Sequence, residues 1–282
     1  MRSIISLMGV NPADDKLHRF ETSWLFSPFV LAILRGLISL YCFVTFIVMF
    51  AWQGTHGDNL SSRRSFSYFT NLTFWGVAFY FLVASIHTFL YARTGRSVLF
   101  DKWPRWLRAL HSLFYSTVTC FPFVVLIVYW ALLYTGPWYP VQFDAWTNIS
   151  QHAMPPFFSL FEIIFSTAPP PPPLHIAFLI LILALYVGLA YITYATQGFY
   201  VYSFLDPGEG GKDRGLVAAY AFGVLAGLIV IFGVVWLLSW LRVRLVSSKR
   251  IKFATKGGDV EVWDARRGGL DEDIEINLAE RK

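Results

Sequence analysis

Charge is what this chain has least of. Only 15% of its 282 residues are Asp, Glu, Lys or Arg, against about 25% in a soluble globular protein. No charged stretch is long enough to build a separate water-soluble domain, which excludes a soluble enzyme with one added anchor and a disordered chain. Cysteine is nearly absent: Cys42 and Cys120 both lie inside apolar runs, where a free thiol behaves as a small hydrophobe, so neither a disulfide nor a zinc framework is available. There is no G-x-S-x-G for a nucleophile-elbow hydrolase. There is also no H-E-x-x-H, and no histidine pair three or four residues apart to hold a metal on a helix. No cofactor or metal is expected.

What remains is apolar. Residues of the set AVILMFWYC make up 56% of the chain, roughly 158 positions, and six membrane-spanning helices would use about 130–145 at about 20 or more residues per crossing. The fold class is therefore all-α, a polytopic membrane protein built as a bundle of six transmembrane helices. The runs fall at about 28–52, 66–91, 106–134, 144–165, 174–196 and 215–241. The fourth is the most polar, with Asn148, Ser150, Gln151, His152, Pro155, Pro156 and Glu162. The sixth carries Gly223 and Gly227 as a G-x-x-x-G, a spacing that permits close helix contact. Residues 1–27 read as a cytoplasmic N-terminal segment without a signal-peptide pattern, 28–246 as the transmembrane domain, and 247–282 as a mobile charged cytoplasmic tail, basic first and acidic later.

Orientation follows the Lys and Arg count beside the spans. Arg93, Arg96, Lys102, Arg105 and Arg108 lie between spans two and three, and Arg242, Arg244, Lys249, Arg250 and Lys252 follow span six, so these sides are cytoplasmic and both termini face the cytoplasm. The net charge of +5 belongs to lipid head groups rather than nucleic acid. Pro169–Pro173 cannot form a helix and read as a stiff polyproline II spacer of about 15 Å. That run and the C-terminal tail are the two places where cytoplasmic partners would dock.

Ionisable side chains inside spans are expensive, so each asks for a reason. They are Arg35, His87, His152 and Glu162. Thr70 lies about 6 Å and His152 about 12 Å in from the non-cytoplasmic side at ~1.5 Å per residue. A hydroxyl facing an imidazole can act as nucleophile and general base. The plainer alternative is a threonine bonded back to its own helix and a histidine satisfied by a neighbouring span.

Three blocks resemble a known family. Phe66–Phe81, FSYFTNLTFWGVAFYF, is similar to the start of the second span in the androgen-induced protein family, which includes the androgen-dependent TFPI-regulating protein and has many fungal members. Trp146–Ile163, WTNISQHAMPPFFSLFEI, resembles its fourth span, with Asn148, then His152 four residues on, then Glu162 after ten more. Gln197–Asp206, QGFYVYSFLD, resembles its aromatic stretch ending in Phe-Leu-acidic, and Arg35 also fits. The resemblance implies a membrane-embedded hydrolase of fatty acid esters of hydroxy fatty acids, with Thr70 as nucleophile and His152 as base. Thr73, in LTF, is a second candidate on the same helix face. Asp206 is either the third group of a triad or a solvated span end, and Glu162 is rather a structural partner for Arg35. Pro155 and Pro156 should break the helix just after His152. Trp75, Phe79, Phe157, Phe158, Tyr200 and Tyr202 are the aromatics available to line an acyl channel.

The function expected is thus an intramembrane lipid-ester hydrolase taking its substrate from the bilayer. The address is an endomembrane, the endoplasmic reticulum first, or the plasma membrane. Two alternatives stand beside it: a non-catalytic transporter or channel using Arg35, His152 and Glu162 as a polar path, and a regulatory membrane scaffold recruiting partners through its proline run and tail.

Overall fold

A computed structural model of the chain describes residues 4–10, 18–246, 250–254 and 260–264. Five helices are long and apolar enough to cross a membrane: α1 (Pro28–Thr55), α2 (Phe69–Thr94), α3 (Arg105–Val128, continued by a π-helical turn over Tyr129–Leu133), and two later ones. Between them stand α4 (Gln142–His152) and α5 (Met154–Phe165), of 11 and 12 residues, each too short to cross alone. The remaining long helices are α6 (His175–Gln197) and α7 (Arg214–Val246). The chain is an integral membrane protein with a helical bundle fold.

Local chemistry sets the ends. Pro28 occupies the first turn of α1 and the Ser27 hydroxyl accepts from Val30 N–H at 3.4 Å, the arrangement that satisfies an otherwise unpaired donor. Gly95 and Gly198 close α2 and α6 in the left-handed region, with φ of 66° and 73°. Pro155 and Pro156 break the fourth segment as expected, and the interruption falls at Ala153.

The segments outside the long helices carry structure of their own. In the N-terminal segment Glu21, Thr22 and Ser23 are fully buried. Ser23 pairs with Ser166 as an isolated antiparallel bridge, Thr167 N–H donates to Thr22 O at 3.0 Å, and Trp24 Nε1–H donates to Ile164 O at 2.7 Å. The tail is not wholly irregular either, since Arg250–Ala254 (β1) and Val260–Asp264 (β2) pair as an antiparallel hairpin; its other residues lie outside those described. Finally, a Cβ on Gly223 or Gly227 would meet nothing within 4 Å, so no close helix contact forms on the G-x-x-x-G among the described residues. In the proline run Pro171 is buried and Pro173 exposed, and a Cβ on Gly9 would come within 2.9 Å of Pro172.

The buried charges close on themselves. Arg35 and Glu162 are 0% exposed and form a two-pronged ion pair, with Arg35 Nε–H donating to Glu162 at 3.1 Å and a second, shorter bond from Nη2. Arg35 also donates to Phe20 O at 2.8 Å and to the Thr88 hydroxyl at 2.6 Å, and Tyr80 O–H donates to Glu162 at 3.0 Å. A fork-to-carboxylate geometry with every remaining group bonded is what a buried pair requires. Glu162 is therefore a structural partner of Arg35. Nearby, Arg242 holds the carbonyls left open at the end of α5, Ile163 O at 2.9 Å, Ser166 O and Ala168 O.

Candidate functional site

Thr70 is the second residue of α2. The chain reaches it through a short 3₁₀ turn, Ser65–Ser67, and an extended Tyr68 whose side chain makes no cap. The first N–H groups of a helix have no partner within it. The gap is filled from across the bundle: the Tyr202 hydroxyl oxygen accepts from Phe69 N–H at 3.1 Å. Tyr186 lies beside it and donates to Ser67 O at 3.0 Å. Asn71 fastens the same turn to α4, donating to Ser65 O at 3.0 Å and accepting from Gln151 at 3.0 Å.

Half-buried Thr70 stands in the wall of a cavity of about 340 Å³ between the start of α2, the end of α3, α6, α7 and the Tyr202–Leu205 loop. The wall is Val, Leu, Ile, Phe and Ala except for Thr70, Tyr129, Tyr186 and Tyr202. A mostly apolar chamber of this size with a few converging hydroxyls is the usual form of a small-ligand site.

His152 ends α4. Its Nδ1 lies 3.0 Å from Asn148 O, and because a carbonyl only accepts, Nδ1 carries the proton and Nε2 is the basic nitrogen. Nε2 has no hydrogen-bond partner among the described residues. The imidazole does not line the cavity. It stacks on the Tyr129 ring at 3.7 Å between centroids, and Tyr129, at the head of the π-helical turn, does line it. Tyr129 thus touches both the chamber in whose wall Thr70 stands and the His152 imidazole. Asn148 donates to the hydroxyls of Tyr129 and Tyr139, the latter at 2.9 Å, and those two hydroxyls bond each other.

The other candidates separate. The Thr73 hydroxyl is buried with no partner among the described residues and is not in the cavity wall. Asp206 is exposed and accepts from Gly208 N–H at 2.8 Å in a local turn, while the imidazole proton it would have held is taken by Asn148 O. Of the aromatics put forward for a channel, only Tyr202 lines the chamber. Trp75 stacks on Phe46 at 4.0 Å, Phe79 packs on Phe43, Phe157 is 63% exposed, Phe158 meets Tyr41 and Tyr200 stacks on Tyr194. Tyr129 was not singled out from sequence. It lies in a plain aromatic run, and the cue that existed was the run's position level with the polar fourth segment. No cluster of three metal-ligating side chains is found among the described residues.

The model of the FAR-17a/AIG1-like protein family matches residues 32–243. The chain belongs to this family, the androgen-induced protein family. The match runs from early α1 to near the end of α7 and so takes in Thr70, His152 and the cavity. No curated protein and no solved structure matches the chain.

Proposed function

We infer that this family member is an intramembrane hydrolase of lipid esters, of the fatty acid ester of hydroxy fatty acid type, with Thr70 as nucleophile and His152 as general base. The observation that carries the reading is the position of Thr70: a hydroxyl at the first turn of a helix, in the wall of an apolar chamber large enough for acyl carbons. The Thr70 oxygen attacks the ester carbonyl as its proton passes to His152 Nε2. Collapse of the tetrahedral intermediate breaks the bond to the alcohol, which takes the proton from His152, and water then releases the acyl group from Thr70. The partial positive charge at the α2 N-terminus favours the developing negative charge. For His152 to reach Thr70 the Tyr129 ring has to move aside, and an irregular π-helical turn is a segment suited to such movement.

The polar-path alternative draws no support from Arg35 and Glu162, because each is the other's partner and both are sealed. The test is hydrolysis of a branched fatty acid ester by purified protein in nanodiscs. Thr70→Ala should abolish it. His152→Gln should lower kcat by about 10²–10⁴, whereas a merely structural histidine would leave the rate near the parent's.

A further inference from the structure

The residue that reaches the helix start carrying Thr70, and shares its cavity wall, is neither a histidine nor an acid but Tyr202, and the proton positions around it are constrained. Phe69 N–H donates to the Tyr202 oxygen at 3.1 Å, so that oxygen is an acceptor on the helix side. Tyr186 spends its own proton on Ser67 O at 3.0 Å, leaving only its oxygen to offer. The Tyr202 proton is therefore directed away from the Phe69 N–H, leaving it for acceptors on the side where Tyr186 and Thr70 line the chamber. A phenol that accepts from a backbone N–H becomes a stronger donor, because chained hydrogen bonds polarise one another. Preorganised donors aimed at the site of developing charge are the largest single contribution in many acyl-transfer enzymes.

We propose that Tyr202 is a further catalytic residue of this site, its O–H supplying the hydrogen bond that stabilises the oxyanion formed when Thr70 attacks an ester carbonyl. This rests on the hydrolase reading above. As the Thr70 Oγ1–carbon bond forms, the carbonyl π pair moves onto the carbonyl oxygen and the Thr70 proton goes to His152. The oxyanion accepts from Tyr202, whose proton swings from its resting acceptor but is not transferred. When the intermediate collapses, the pair returns to the carbonyl, the ester C–O bond breaks, and Tyr202 goes back to its resting partner. The bond from Phe69 N–H persists throughout and holds the phenol in place.

The experiment compares the full-length parent, Tyr202→Phe and Thr70→Ala in nanodiscs on one long-chain ester, reading kcat and KM separately. Tyr202→Phe keeps the ring and loses the donor, so kcat should fall about 10²–10³-fold with KM changed less than threefold. A kcat within threefold of the parent's overturns the proposal and reduces Tyr202 to a cap on α2. Should Tyr202→Phe fail to accumulate, 3,5-difluorotyrosine at position 202 decides: a more acidic phenol keeps the fold, and the alkaline limb of the rate profile should move to lower pH as phenolate, unable to donate, forms earlier. An unmoved limb overturns the proposal as well. Turnover that depends on Thr70 and not on Tyr202 defeats this inference alone, whereas absence of Thr70-dependent turnover in the parent defeats the hydrolase reading and this with it.

Discussion

Replacing Glu162 by alanine would leave the Arg35 guanidinium with no counter-charge in a site that is 0% exposed. Two bonds would survive, to Phe20 O and the Thr88 hydroxyl, but neither carries charge. Removing one member of a buried pair costs about 3–5 kcal/mol, and Tyr80, which donates to the same carboxylate, loses its acceptor at about 1–3 kcal/mol more if nothing replaces it. Against a total stability of about 5–15 kcal/mol that is a large share. The charge effect alone corresponds to a fall of roughly 6–20 °C in Tm, at about 2–4 °C per kcal/mol for a chain of this order of size. Replacing both members, Arg35→Met with Glu162→Leu, removes the uncompensated charge and should recover most of the loss. The assay is retention of the monodisperse peak after a heating series in one fixed detergent. A Glu162→Ala protein within 2 °C of the parent, or a double variant no better than the single one, would refute the claim that the pair is closed and structural.

Four further outcomes follow from the same geometry. Arg242→Met should destabilise the C-terminal end of α5 by about 1–3 kcal/mol, since several carbonyls lose a charged donor there, visible as proteolysis of the 166–174 connector. Val187→Trp should fill part of the cavity and slow hydrolysis of long-chain esters at least tenfold more than that of acetyl esters; equal slowing would place the acyl group elsewhere. Burial raises the pKa of the Glu21 carboxyl above its ordinary 4.5, with hydrogen bonds from His18 and Ser97 opposing the rise. The native state then holds the proton longer than the unfolded chain, so this group's contribution is full below about pH 4.5 and declines as pH rises through the higher native value. Glu21→Gln should flatten that decline in a Tm-against-pH series. A C-terminal tag in sealed microsomes should be open to protease added from the cytoplasmic side, and a protected tag would overturn the orientation inferred from the basic loops.

The long elements were legible because a bilayer demands long apolar runs: α1, α2, α3, α6 and α7 begin and end within a few residues of those runs. The break at Ala153 was legible for the same kind of local reason, two adjacent prolines. The Arg35–Glu162 pairing was suggested by the scarcity of buried charge, which leaves each ion few partners. What did not show was long-range polar contact. Nothing local to Ser23 or Trp24 announces their bonds to Phe165 O and Ile164 O. Nothing near Tyr202 says that its hydroxyl will meet the start of a helix 133 residues away. A polar N-terminal segment reads as solvated until a partner is known, and the glycines of α7 read as a contact face whether or not a helix lies against them. Aromatic residues were too frequent, at 18% of the chain, for composition to separate Tyr129 and Tyr202 from those that merely pack.

The central claim, that Thr70 is the nucleophile, is met most directly by locating a covalent adduct. Purified protein is treated with a fluorophosphonate, digested, and the modified peptide sequenced by mass spectrometry. The account predicts one stoichiometric adduct on Thr70, lost in Thr70→Ala and retained in Thr73→Ala. An adduct on Thr73 would move the nucleophile one turn along α2, and no adduct on either threonine in protein that hydrolyses esters would contradict the account outright.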